Sequence, residues 1–230
     1  MTSRLVSPAL FFAILLGSLV CTAPAVSSAQ QLRLTEGTQT TIEDVHTYRA
    51  YYGKLVGEEH TYAFSTAEEN TVNFLVLVPD IAGAKTDIGI SLFQKSDAAR
   101  PLSNADGALM EWTQFFDTAG RDSYLAGPSL QATLPQGDYE VRITNPENSG
   151  SYVLIVGSKA SFSIAETLRR YATLPNIKSD FFQKSAIEAY VTPLLLWPIF
   201  GSLIVVGFAL FSLIVYRRRL RLVPDPSTHA

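Results

Sequence analysis

The stretch 193–216 constrains this chain more than any other: 24 uncharged residues, mostly Leu, Ile, Val, Phe and Ala, closed by Arg217, Arg218, Arg219 and Arg221. As a helix rising about 1.5 Å per residue it reaches roughly 36 Å, enough to cross a hydrocarbon core of about 30 Å with some tilt. A transmembrane helix is therefore expected over 191–216, followed by a basic cytoplasmic tail at 217–230. Short flanks rich in Arg and Lys stay inside, so the C-terminus is expected in the cytoplasm and the bulk of the chain outside it. Trp197 and Tyr190 towards the outer end and Tyr216 at the inner end suit the two interfacial belts. Pro193 fits a first helical turn, whereas Pro198 is expected to bend or restart the helix. The tail carries four arginines against Asp225, a charge that suits anionic lipid headgroups.

At the other end, Arg4 precedes an apolar run from Ala9 to Val20 and small residues ending in Ser27, Ser28 and Ala29. The pattern is that of a secretory signal peptide, 1–29, cut after Ala29; an uncleaved anchor is the alternative. Cys21 is the only cysteine and falls within this leader. The mature chain would then hold no thiol, which removes disulfides, cysteine nucleophiles and thiolate metal sites from consideration.

Between leader and span, 30–190 carries 13 Lys and Arg against 20 Asp and Glu, a net charge of −7. Such a balance argues against nucleic acid as a partner. The segment 30–160 is one domain's worth of chain and is expected to fold alone. Its apolar residues alternate with period two: Tyr139, Val141 and Ile143 against Asp138, Glu140, Arg142 and Thr144, and Ile88, Ile90 and Leu92 against Asp87, Gly89 and Ser91. The runs 72–78 and 152–156 are apolar at nearly every position and predict strands covered on both faces. Further strands are expected at 48–56, 60–65, 111–116 and 124–134, with turns at 57–59, 79–80, 104–107, 135–138 and 145–150. Seven or eight short strands without long helices between them predict an all-β ectodomain, an antiparallel jelly-roll-like β-sandwich.

The order of these strands, ending in Leu134-Pro135-Gln136-Gly137-Asp138-Tyr139-Glu140-Val141 and then Gly150-Ser151-Tyr152-Val153-Leu154, resembles the bacterial pre-peptidase C-terminal domain over 48–157. The resemblance implies a small jelly-roll-like sandwich of the kind appended to secreted enzymes, and a role in binding or display. No peptidase precedes the module in this chain.

After the sandwich, 161–173 changes to a spacing of three and four residues, with Ser163 as cap and Glu166 three residues on, and predicts a short amphipathic helix that Pro175 stops. The segment 161–190 is expected to form a membrane-proximal stalk packed on its own sandwich; a docking face for a partner is the alternative.

No catalytic signature is found, whether a Gly-x-Ser-x-Gly elbow, a phosphate-binding glycine loop or a His-Glu-x-x-His pair, so no catalytic, cofactor or metal residues are assigned. His46 and His60 have no third ligand suggested by spacing, and the turn aspartates lack the calcium-loop rhythm. Two aromatic groups stand out, Tyr48, Tyr51 and Tyr52, and Trp112, Phe115 and Phe116; of these, Tyr51, Tyr52, Trp112 and Phe115 are the candidate binding surface. The expected function is a non-catalytic single-pass membrane protein that displays a binding or accessory module. Its partners would be membrane lipid and another membrane or extracytoplasmic protein; a membrane-tethered carbohydrate-binding module is the alternative.

Replacing Arg217, Arg218, Arg219 and Arg221 together by Ala is expected to weaken the orientation while leaving insertion intact, because the span stays apolar. Reporter fusions to the C-terminus check this, and an unchanged orientation would transfer control to the leader alone.

Overall fold

The computed structural model describes residues 31–118, 120–161, 163–191 and 193–221; the leader 1–29 and the end of the tail, 222–230, lie outside the described residues. Eleven strands run β1 Gln31–Leu34, β2 Gln39–Thr41, β3 Arg49–Val56, β4 His60–Thr66, β5 Asn70–Pro79, β6 Gly89–Gln94, β7 Asp97–Ala105, β8 Thr113–Asp117, β9 Asp122–Leu134, β10 Gly137–Thr144 and β11 Ser149–Val156. They form two sheets, β1-β3-β11-β5-β9-β8 and β2-β4-β10-β6-β7. The helices are α1 Ile164–Asn176 and α2 Pro193–Arg221, with short 3-10 turns at Gly107–Leu109 and Ala186–Val191 and a π-helical turn at Ile177–Phe181. The chain thus folds as a β-sandwich followed by a short helix and one C-terminal apolar helix.

The expected pairing needs one correction, because not every pair is antiparallel. β1 lies parallel to β3 and β2 parallel to β4. The chain steps from one sheet to the other at each of β1, β2, β3 and β4. Each parallel pair is therefore linked through a strand of the opposite layer, which supplies the crossover that a helix usually provides. β7 is a second departure: it runs through Ala105, where a turn is expected, and the turn proper begins only at Gly107, with Asp106 capping the Ala108 amide at 2.9 Å.

The main core lies between the sheets. Tyr51, Leu55, Val72, Phe74, Val76, Leu130, Tyr152 and Leu154 from the larger sheet meet Tyr62, Phe64, Ile90, Leu92, Tyr139, Val141 and Ile143 from the smaller one. The Tyr152 ring lies over Gly53, its cross-strand partner, where a Cβ would sit 2.6 Å from the ring. Its hydroxyl meets the Tyr62 hydroxyl at 2.8 Å and His60 Nδ1 at 2.7 Å, and Tyr62 continues to Thr35 Oγ1 at 2.9 Å. Burial pushes the Tyr62 phenol up to about 12 and holds the His60 imidazole below its ordinary 6.5.

A second apolar layer covers the outer face of the larger sheet. Tyr52 and Tyr124, bonded hydroxyl to hydroxyl at 2.9 Å, meet Phe181 and Phe182 edge-on with ring centroids 5.1 Å apart in each case. Leu174, Ile177 and Ala189 are buried with them. Pro175 does not stop α1, which continues to Asn176 and then widens into the π-helical turn. A proline removes its own N–H and crowds the preceding turn, and a locally wider helix is one way to absorb that. The region 164–191 is consequently part of the same compact unit as the sandwich, so a domain boundary at 160 would strip a cover from the sheet.

Polar contacts fix this cover at two places. Glu166 binds Arg33 of β1 at 2.6 and 2.9 Å. Lys178, only 1% exposed, binds Asp122 Oδ2 at 2.6 Å and the Gly120 carbonyl in the β8–β9 turn, while Lys184 reaches Asp122 Oδ1 at 2.9 Å. Arg121 and Gln183, on the two sides of this joint, both hold positive φ, 57° and 55°. A non-glycine residue there costs on the order of 1 kcal/mol, so surrounding contacts must hold it.

In its own unit, α2 is an unbroken helix that does not restart at Pro198 and that extends past Tyr216 through the arginines. It is long and apolar enough to cross a membrane. Tyr216 and Arg217 are exposed.

Phe181→Ala or Phe182→Ala should each lower the stability of a soluble 31–191 domain by about 3–5 kcal/mol, and ending the chain at 160 should cost more than either. Urea unfolding of the three forms decides this, and equal stability of 31–160 and 31–191 would refute the second core. His60 generates a pH prediction. Its folded pKa lies below the unfolded one, so protonation favours unfolding; its stability contribution is complete above about 6.5 and is lost as pH falls. Asp44 and Glu166 are also held low, but their losses begin only as pH falls into the ordinary carboxylate range. Stability should therefore slope downward from about pH 6.5 to 5, and His60→Gln should flatten that part of the curve.

Candidate functional site

A β-sandwich has four sheet edges, each a row of unpaired backbone groups that natural proteins blunt. Three of the four edges here carry such devices. β1 is four residues long and is held to α1 by the Arg33–Glu166 ion pair. β2 is three residues long and polar. β7 contains Arg100 and Pro101, and its register against β6 shifts twice. β8 is different: it reads Thr-Gln-Phe-Phe-Asp, lacks Pro and Lys, and pairs only with β9 in its sheet.

Both β8 phenylalanines are open to solvent, Phe115 at 50% and Phe116 at 54%. Successive strand residues face opposite sides, so the two rings flank the bare edge rather than forming one platform. Phe115 tilts against Tyr124 at a centroid distance of 6.3 Å and so extends the outer aromatic layer to the sheet margin. The approach to β8 adds Leu109, 84% exposed, and Met110, with Leu102 exposed on β7. Leu109 is not on a loose loop. Trp112 donates Nε1–H to the Gly107 carbonyl at 2.9 Å and lies flat on Gly127 of β9, where a Cβ would come within 2.3 Å of its ring. A rigidly presented apolar side chain loses little freedom when it is covered, which makes it an anchor for association.

The structure therefore separates the aromatic residues singled out in the sequence. Phe115 is exposed and Trp112 is half-buried as the brace of the site. Tyr51 and Tyr52 are corrections: both are buried, Tyr51 in the main core against Tyr62 and Tyr52 in the second core against Phe181. Neighbours in a strand point to opposite faces, and in this sheet both faces are covered. Leu102, Leu109 and Met110 escaped the sequence reading, because isolated apolar residues beside a turn carry no periodic signal; Phe116, next to Phe115 in the same aromatic cluster, is 54% exposed. Among the described residues, no group of three His, Cys, Asp or Glu is placed to hold a metal.

No protein-family model matches the chain, and no curated protein does. Among solved structures, the chain is similar to the pre-peptidase C-terminal domain of a collagenase from Bacillus anthracis, at 13% identity and a TM-score of 0.34, over 53% of this chain and 96% of that one. It is similar also to PliG of Salmonella Typhimurium, a periplasmic inhibitor of g-type lysozyme, at 18% identity and a TM-score of 0.31, over 54% and 100% of the two chains. A mutant of the Escherichia coli inhibitor gives 18% identity and a TM-score of 0.32 over the same shares. At these identities and scores, function is left to the residues themselves.

Proposed function

We propose that this is a non-catalytic, membrane-anchored binding module that recruits a protein by adding an extended segment of the partner to β8. The observation that carries the reading is the contrast among the four edges: among the described residues, β8 is the edge strand with exposed phenylalanines on both sides. Strand addition draws affinity from main-chain hydrogen bonds and specificity from side-chain contacts on alternating sides. Phe115 and Phe116 would grip an incoming strand from its two faces, and Leu109 and Met110 would cover its end. A sugar platform is less well served, since stacking on a ring pair needs both rings on one face.

The remaining parts of the proposal concern address. α2 spans the cytoplasmic membrane of a bacterium with the arginines inside and the sandwich, of pre-peptidase C-terminal type, outside. Ile187, Tyr190 and Val191, all exposed and immediately before Pro193, suit the lipid interface. The arginine tail adds attraction to anionic headgroups.

A photo-reactive amino acid placed at Leu109 or Phe116 in the full membrane-embedded chain should form an adduct with a second protein, whereas the same group at Val56, exposed on β3, should not. Phe115→Lys with Phe116→Lys should abolish the adduct formed from Leu109 with little change in melting, as expected for exposed positions. Equal capture from Val56, or capture that survives the double lysine variant, would overturn the assignment.

A further inference from the structure

Lys178 and Asp122 make the most demanding contact in the molecule, since a lysine and an aspartate are almost never fully buried unless paired. They come from distant parts of the chain, the π-helical turn and the first residue of β9. Phe182 lies beside the amine, with its ring centroid 5.9 Å from Nζ, and packs in turn on Tyr124 and Phe181. A second carboxylate is close by. Asp117 Oδ2 accepts the Gly120 N–H at 3.0 Å, and a Cβ on Gly120 would stand 2.7 Å from Asp117 Oδ2 and 3.2 Å from Asp122 Oδ2.

We infer that Lys178 and Asp122 are a covalent modification site, where the amine and the carboxyl condense to an isopeptide bond with loss of one water. The ammonium proton passes to Asp122 Oδ2 across the 2.6 Å contact, leaving an amine and a carboxylic acid in an apolar surround. Nζ then attacks Cγ, and the negative charge develops on Oδ1, 2.9 Å from the Lys184 ammonium. A second proton moves from the new ammonium to the departing oxygen. The Cγ–Oδ2 bond breaks, water leaves and an amide remains. Atoms and charge balance without an oxidant or any other reactant.

Two effects drive the reaction. Groups fixed in contact react with effective concentrations on the order of 10⁵ M or more. The neutral amide also replaces two desolvated ions, whose burial is costly. Lys184 is the poorer nucleophile, because its side chain is one-third exposed and stays hydrated as an ammonium. The product would tie the membrane-proximal segment covalently to the β8–β9 turn.

The full chain, purified from membranes in detergent and digested with trypsin after denaturation, provides the test. The unlinked chain yields 122–142, 171–178 and 179–184 as separate peptides. The linked chain yields 122–142 joined to 171–184, uncut at Lys178 and lighter by one water than its parts. Lys178→Arg should abolish the branched peptide, and Asp122→Ala should do the same. Recovery of 171–178 and 179–184 in full yield from the unmodified chain would overturn the inference. So would a branched peptide that persists in Lys178→Arg, which would move the bond to Lys184.

Discussion

A strand sheet that is apolar on both faces has to be covered twice, and this requirement governs the ectodomain. β5 and β11 are central strands whose residues are buried on both faces, Val76 and Leu154 towards the smaller sheet and Leu77, Val153 and Ile155 away from it. The smaller sheet supplies one cover. The second comes from 164–191, and its aromatic pair Phe181 and Phe182 meets Tyr52 and Tyr124. At roughly 25 cal/mol per Å² of apolar surface, four interlocked aromatic rings contribute several kcal/mol, which is comparable with the net stability of a small domain. The segment 164–191 is therefore as much a part of the fold as any strand.

The polar joint makes that cover specific. Apolar packing alone would tolerate a slide of the helical segment along the sheet, but a buried ammonium tolerates only the position where its carboxylate waits. Removing one member of a buried pair typically costs about 3–5 kcal/mol because the other is left uncompensated. Lys178 thus sets the register of the cover on the sheet, and the positive φ of Arg121 and Gln183 shows the backbone bent on both sides to let the pair meet. The β8–β9 turn held by this joint also ends β8, so the candidate binding edge and the segment 164–191 share one anchor point.

Much of this fold can be read from the residues, for reasons that differ strand by strand. β6 and β10 have one buried face and alternate cleanly, and β5 and β11 have two and do not alternate, which is itself the signal. β7 was hidden because Ala98, Ala99, Arg100 and Pro101 present neither pattern on an edge where both faces are wet. β1 and β2 are too short to carry a period, and their partners lie across the other layer. Pro175 misled for a local reason: the rule that proline ends a helix holds for the α-helical spacing, and here the chain moves to a wider turn. For the site, Phe115 and Trp112 were legible as large aromatics in a polar stretch, whereas Tyr51 and Tyr52 look the same in sequence and differ only in having covers. Lys178 gave no signal, since one lysine among Asn, Ser and Asp reads as solvated until the fold brings Asp122 to it.

The same reasoning explains why β8 can remain open without endangering the molecule. An exposed apolar edge is an aggregation hazard when it is long and flat, and β8 is five residues long and ends in Asp117, whose carboxylate is engaged in the following turn. Its neighbour β9 runs for 13 residues, so β8 covers only the first part, and beyond it Gly127 and Pro128 interrupt the ladder at the register shift against β5. Pro128 lacks the N–H with which β8 could extend along β9 beyond Thr113. The opening is thus limited to a short segment, enough to select a brief extended peptide and too short to template a continuous sheet.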